Sequence, residues 1–424
     1  MAGIRNGVAA RIQQHYPKAL FAYCHMHCLN LCVKDTVSDA VPLMRDFFSN
    51  ILELTSFIRH SPKRMAHLRH INSEQEDSQI QSLRPLCPTR MTVKYNTLTA
   101  IDSQASSLMQ ILDDIRSDCT STHEAQAKAS GLLRWLESFE FSFAQTIGLE
   151  LFGMTDELSK QLQNPKLSAA EGLESVLALK MLINTKRTDM HFESIWRDVE
   201  ARRDRFNGAQ AKLPRMRHAP MRFEDGGRAV EFESVDQYFR VQYYLVLDKV
   251  TASICERFES SAWKIMHCME TVLVQSCRGE DPLLRDIETI LVHASGDLDQ
   301  DLVGQLSQLR NIPMSTEERN GMTSFSDILK LLKKERALLR LLPQVVKLVK
   351  LVCILPCSTA TPERSFSQLR RIKNYMRSTV TQERLNHTMI AAVHCDKRDN
   401  IDINKVMNEF IMRNEHRRAT FAKL

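Results

Sequence analysis

Three groups of side chains in this 424-residue sequence have types and spacings that could do chemistry. Near the start, Cys24, His25, His27, Cys28 and Cys32 fall within nine residues. Thiolates and imidazoles are the ligands zinc prefers, usually four of them in two separated pairs. Here the candidates crowd together and no second clean pair stands at finger spacing, since Cys87 is alone and His67 with His70 lacks a thiol. Spacing therefore points away from a metal site. Near the end, Glu363 follows Thr361 and Pro362. Thr suits an N-cap, Pro the first helical position, and an anion the first turn, where the helix dipole favours it. Glu363 thus reads either as a metal-binding carboxylate or as a helix-capping one paired with Arg364 or Arg370. The third group is cationic. From Arg202 to Arg228, eight Lys and Arg, Arg215, Arg217 and Arg222 among them, stand against three acids. Such a segment can neutralise phosphates, with affinity that falls steeply in salt, or act as a nuclear import patch.

The elements that must position these groups read mainly as helices. With 13 Gly and 13 Pro the chain has few turns per residue, which favours long helices over a many-stranded β protein. Ile4–His15 reads as a short amphipathic helix with Val8, Ala9 and Ile12 inward. Ala19–Tyr23 is a short apolar run that reads as a buried strand feeding the Cys/His helix. Residues 40 to about 70, and Thr92 to about Ile115, are helical in pattern, with a polar loop at Ile71–Gln81 and a turn at Pro85–Met91 between them. Leu132–Leu162 and Ala169–Phe206 read as two long antiparallel helices. Arg134 and Trp135 within them read as core plus a snorkelling Arg. After the basic loop come helices at Val235–Phe258 and Trp263–Val274. The last block, Phe325–Leu341, Val345–Leu355, Pro362–Met376, Gln382–His394 and Ile403–His416, is a helical series. Leu348, Leu351, Phe366, Leu369, Ile372, Met376, Leu385 and Met389 give it wide apolar faces, continued by Val406, Phe410 and Ile411. Such faces need a cover, either the rest of the chain or a second subunit.

Several strings in this order resemble the hAT transposase superfamily, including its domesticated zinc-finger MYM-type members. Thr361–Val380, TPERSFSQLRRIKNYMRSTV, is similar to the family's C-terminal signature, with Arg364, Phe366 and Ser367 at motif positions. Cys24-x-x-His27 followed by Leu29-Asn30-Leu31 resembles the family's Cys/Asp-x-x-His segment. Leu86–Met91, LCPTRM, resembles its Thr-Arg-Trp turn, with Arg90 matched and Met91 in place of the Trp. Phe239–Phe258 resembles a helix of its insertion region. The resemblance implies a mainly α architecture: a partial RNase H-like α/β remnant over residues 1–90, a large helical insertion over 91–323, and an hAT-type C-terminal dimerisation region over 324–424.

In that family the Glu of the C-terminal signature completes an Asp-Asp-Glu metal site. Neither Asp has a counterpart here, since Asp35 and Asp39 do not match the pattern, and the sequence is expected to be truncated at its N-terminus. Two-metal strand transfer needs several carboxylates holding two cations about 4 Å apart. Glu363 alone does not supply them, so it is expected to be vestigial. Met91 offers no aromatic face for a base. The expected protein is therefore no enzyme, carries no cofactor, and dimerises through its C-terminal helices with itself or a related hAT-derived protein. One alternative is a fragment of an hAT transposase whose zinc finger and Asp residues lie upstream. Another is an accessory nucleic-acid-binding protein using Arg215, Arg217 and Arg222.

Composition fits this expectation. A net charge of +6 permits a DNA partner without demanding one. Eleven Cys at irregular spacing, with no apolar signal-peptide core in MAGIRNGVAARIQQ, argue for reduced thiols in a cytosolic or nuclear compartment, of which the nucleus is expected here. No stretch reads as a membrane span; the longest apolar run is broken by Lys347 and Lys350.

Overall fold

Capping residues set many of the helix ends in this chain. A computed structural model describes residues 7–36, 41–74, 83, 92–164, 167–206, 208–213, 232–355, 360–374 and 379–421. The first helices are α1 (Val8–His15), α2 (His25–Asp35), α3 (Pro42–Arg59), α4 (Pro62–Glu74), α5 (Thr92–Ser103) and α6 (Ala105–Ser117). Then come α7 (His123–Leu136), α8 (Phe139–Gln161), α9 (Ala169–Thr185), α10 (Asp189–Arg205) and α11 (Val235–Phe258). Thr122, Ser138, Thr188 and Ser234 each place a side-chain oxygen on the N–H three residues on, satisfying a donor that the first turn leaves free. Ser168 and Glu171 form a full capping box at α9.

Two breaks correct the expected long helices. Leu132–Leu162 divides between α7 and α8, and Ala169–Phe206 between α9 and α10, because Ser138 and Thr188 start new helices in mid-run. Thr92–Ile115 likewise divides at Gln104, between α5 and α6. One core joins α2 through α11, filled by Phe47, Phe48, Phe139, Phe141, Phe143, Phe152, Phe192, Phe239 and Tyr243. Residues on both sides of position 90 share it. Arg134 and Trp135 behave as expected: Trp135 packs against this core and Arg134 is exposed.

A second core surrounds α12 (Ser261–Arg278), which packs on α13 (Leu284–His293), α14 (Asp301–Arg310), α15 (Thr316–Asn320), α16 (Phe325–Lys334) and, past α17 (Leu338–Leu341), α18 (Pro343–Cys353). Phe325–Leu341 is thus two helices rather than one. α12 also packs on α9, so it joins the two cores. Gly279 closes α12 in the left-handed region at φ +86°.

Ala19–Tyr23 is corrected from a strand to an extended strap. Among the described residues there is no β-strand, only an isolated bridge between Ser295 and Leu298. Leu20 and Ala22 instead lie on Trp263 and Met266, beside Ala169. The expected inward face of the first helix is also corrected: Val8 and Ile12 of α1 are exposed.

The chain divides into two compact units, Met1–Ser358 and Thr359–Leu424. The second holds α19 (Ala360–Ile372), α20 (Gln382–Val393), α21 (Cys395–Arg398), α22 (Ile403–Met412) and α23 (Glu415–Phe421). In it α19 packs on α20, and α22 on α23. Among the described residues no helix is long and apolar enough to cross a membrane.

Candidate dimerisation surface

The Cys/His segment is a packing joint. Cys24 caps α2, its Sγ accepting the His27 N–H at 3.4 Å. The His25 ring lies 4.0 Å from Trp263 and 6.0 Å from Phe258, centroid to centroid. Gly172 lets α9 approach it, since a Cβ there would stand 3.0 Å from the imidazole. His27 packs on Tyr23 at 4.9 Å. Cys28 and Cys32 face the first core, and burial pushes both thiols up to about 12. Burial among apolar side chains holds both as neutral thiols. Among the described residues no group of three or more His, Cys, Asp or Glu is placed to hold an ion.

Asp35, the nearest acid after this segment, is part of an ion pair. Its Oδ2 accepts from Arg257 Nη2 at 2.7 Å and from Ser253 Oγ at 3.0 Å, tying α2 to α11. A carboxylate that sequence reading passed over, Glu270, is fully buried on α12. Its Oε2 accepts the Ala170 N–H at 2.9 Å, adding a second cap to α9 beside the Ser168–Glu171 box. Burial raises the Glu270 carboxyl above the usual range. The capping box is visible in sequence as S-x-x-E; the contribution of a Glu about a hundred residues away has no local signal.

The residues singled out in the C-terminal block divide by environment. Leu348 is wholly enclosed, with Val345 and Val352, in the second core, and Leu351 is half-buried against it. Phe366 stands out at 68% exposure. Ser367, Leu369 and Ile372 are half-buried on α19, as is Met389 on α20, while Leu385 is the one buried apolar side chain among the described residues of the second unit. Glu363 and Arg364 lie in the first turns of α19, which opens at Ala360, one residue before Thr361; their side chains, like Met376, Arg90, Arg215, Arg217 and Arg222, lie outside the described residues. Ile390 on α20 is exposed at 61%. Such solvent-facing apolar residues on a unit with so little interior are what an association surface provides.

Residues 305–396 match the hAT family C-terminal dimerisation region. The chain therefore carries an hAT dimerisation region, running from α14 into α21. Over 409 residues, 93% of this chain, it is 21% identical to the human 52 kDa repressor of the inhibitor of the protein kinase. It is 20% identical to the mouse protein of the same name over 408 residues. The chain spans about half, 52%, of the length of these relatives.

Proposed function

We propose that this chain is a non-catalytic, transposase-derived protein that pairs with a second copy, or with a related hAT-derived protein, through its C-terminal helices, and that it acts in the nucleus. The observation that carries the pairing is the exposure of Phe366 and Ile390, 68% and 61%, inside the matched segment. The non-catalytic part rests on the carboxylates. Glu363 occupies the hAT motif position, while Asp35 is engaged by Arg257 and Ser253. Strand transfer on two metals needs more than one free carboxylate. The order of the motifs supports a further part of this reading, in which residues 1–90 and the C-terminal helices belong to an RNase H-like core interrupted by the helical insertion.

Light scattering of the full chain tests the pairing. The expected result is twice the mass of one chain at tens of micromolar, with Phe366→Asp weakening association at least about tenfold. A wild-type monomer throughout that range would sink the reading. For catalysis, the full chain with Mg²⁺ or Mn²⁺ should cleave no DNA; cleavage lost in Glu363→Gln would overturn the non-catalytic part.

A further inference from the structure

α22 lies beyond the matched dimerisation region, which stops at residue 396. Its sequence, INKVMNEFIM, places Ile403, Val406, Met407 and Phe410 at the i, i+3, i+4, i+7 spacing of a single helix face. That face is uncovered: the four side chains are 79%, 52%, 50% and 49% exposed. The neighbour it has is local, the Arg417 guanidinium of α23 lying 3.9 Å from the Phe410 ring centroid. A hydrophobic stripe of this kind, beside the polar Asn404, Lys405, Asn408 and Glu409, is made to be covered.

Charge at the two ends says by what. Asp402 caps α22 at its start, accepting the N–H groups of Asn404 and Lys405. Arg413 follows its last residue and pairs with Glu409. At about 100° per residue, Asp402 and Arg413 fall on the same edge of the apolar stripe, at opposite ends. Two copies laid antiparallel bring Arg413 of one copy against Asp402 of the other, twice. A parallel two-fold pair would put the edge carrying Asp402 and Arg413 on opposite sides of the seam in the two copies and so form neither contact.

We propose that α22 pairs antiparallel with α22 of a second copy across a two-fold axis, extending the dimer seam past the hAT region. This rests on the self-association proposed above. At ten residues α22 is about 15 Å long, too short to supply the roughly 1,600 Å² of a stable interface by itself. It closes on a pair that the preceding helices have already brought together, since α22 belongs to the same compact unit as α19 and α20.

The test uses the full chain and its dissociation constant. Phe410→Asp alters an exposed residue, and in a two-fold pair each change enters twice. The expected rise in dissociation constant is at least about tenfold, with the melting temperature of the monomer unchanged. For orientation, Arg413→Asp and Asp402→Lys chains should each pair poorly alone and pair with each other when mixed, because the mixed dimer restores both contacts. Failure of the mixture to recover overturns the antiparallel arrangement. If Phe410→Asp lowers the monomer's melting temperature and leaves the dissociation constant alone, the stripe packs within its own chain and the proposal falls. If Phe410→Asp dimerises as tightly as wild type while Phe366→Asp does not, the α22 pairing falls and the self-association reading stands. A monomeric wild type removes that reading first.

Discussion

Burial decides what Cys28 and Cys32 can do. Both stand in a sequence cluster that offers metal ligands, yet both thiols are pushed up to about 12 inside the first core. At pH 8 only about one such thiol in ten thousand is ionised, and the thiolate is the reactive form. Alkylation of the folded chain at that pH should therefore modify the exposed Cys119, Cys353 and Cys395 and spare Cys28 and Cys32 until denaturant is added, as read by peptide mass. Labelling of Cys28 in the folded protein would contradict the packing described. Glu270 gives a pH signature of definite sign. Burial raises its carboxyl pKa in the folded chain, so the folded state holds this proton more tightly than the unfolded one. Its contribution to stability is greatest below the unfolded value of about 4.3 and declines as pH rises from there towards the folded value. Glu270→Gln keeps an acceptor for the Ala170 N–H and has no charge to desolvate. Its melting temperature should match wild type at about pH 4 and exceed it increasingly towards neutrality; a pH-independent difference would contradict the assignment.

At the scale of elements, Gly279 shows a backbone requirement. It ends α12 at φ +86°, and a Cβ there would meet the Arg319 guanidinium at 2.5 Å. Gly279→Ala should lower stability by about 1–2 kcal/mol, the usual strain of an L-residue in the left-handed region; an unchanged chemical-denaturation midpoint would show that the turn relaxes freely. Much at this scale was legible in sequence. Val235–Phe258 has both its ends where the apolar period puts them, whereas α18 opens at Pro343, two residues before the expected Val345, and the stretch from 40 to about 70 is entered at Pro42 and again at Pro62. The breaks at Ser138 and Thr188 were not read. Neither is flanked by Gly or Pro, and the apolar spacing continues across them, so an N-capping hydroxyl was the sole signal of a new helix. Ala19–Tyr23 misled for the opposite reason. An apolar run of five residues fits a strand or a strap equally, and the difference lies in Trp263 and Met266, which are far away in the sequence. The dimerisation region, expected over 324–424 and matched over residues 305–396, was legible by motif, but the environment of its residues was not. Leu348 and Phe366 look alike as helical apolar positions; one is enclosed by Val345 and Val352, the other faces solvent.

At the scale of the molecule, that contrast separates folding from association. The first unit has two cores joined through α12, whereas the second encloses Leu385 as its one buried apolar side chain among the described residues. Leu348→Ala should cost about 2–5 kcal/mol of folding stability, as a cavity in a packed core does, and leave the dissociation constant of the folded chain unchanged. Phe366→Asp should do the reverse. Equal effects of the two on association would mean that the face carrying Phe366 is not the seam. The central claim is that exposed apolar side chains of the C-terminal helices join two copies of this chain. Sedimentation equilibrium of the full chain at tens of micromolar, in both physiological and molar salt, tests it most directly. An apolar seam survives the screening that removes surface ion pairs. Twice the mass of one chain is expected in both salts; a single-chain mass in either, or a dimer that dissociates as salt rises, would contradict an apolar seam.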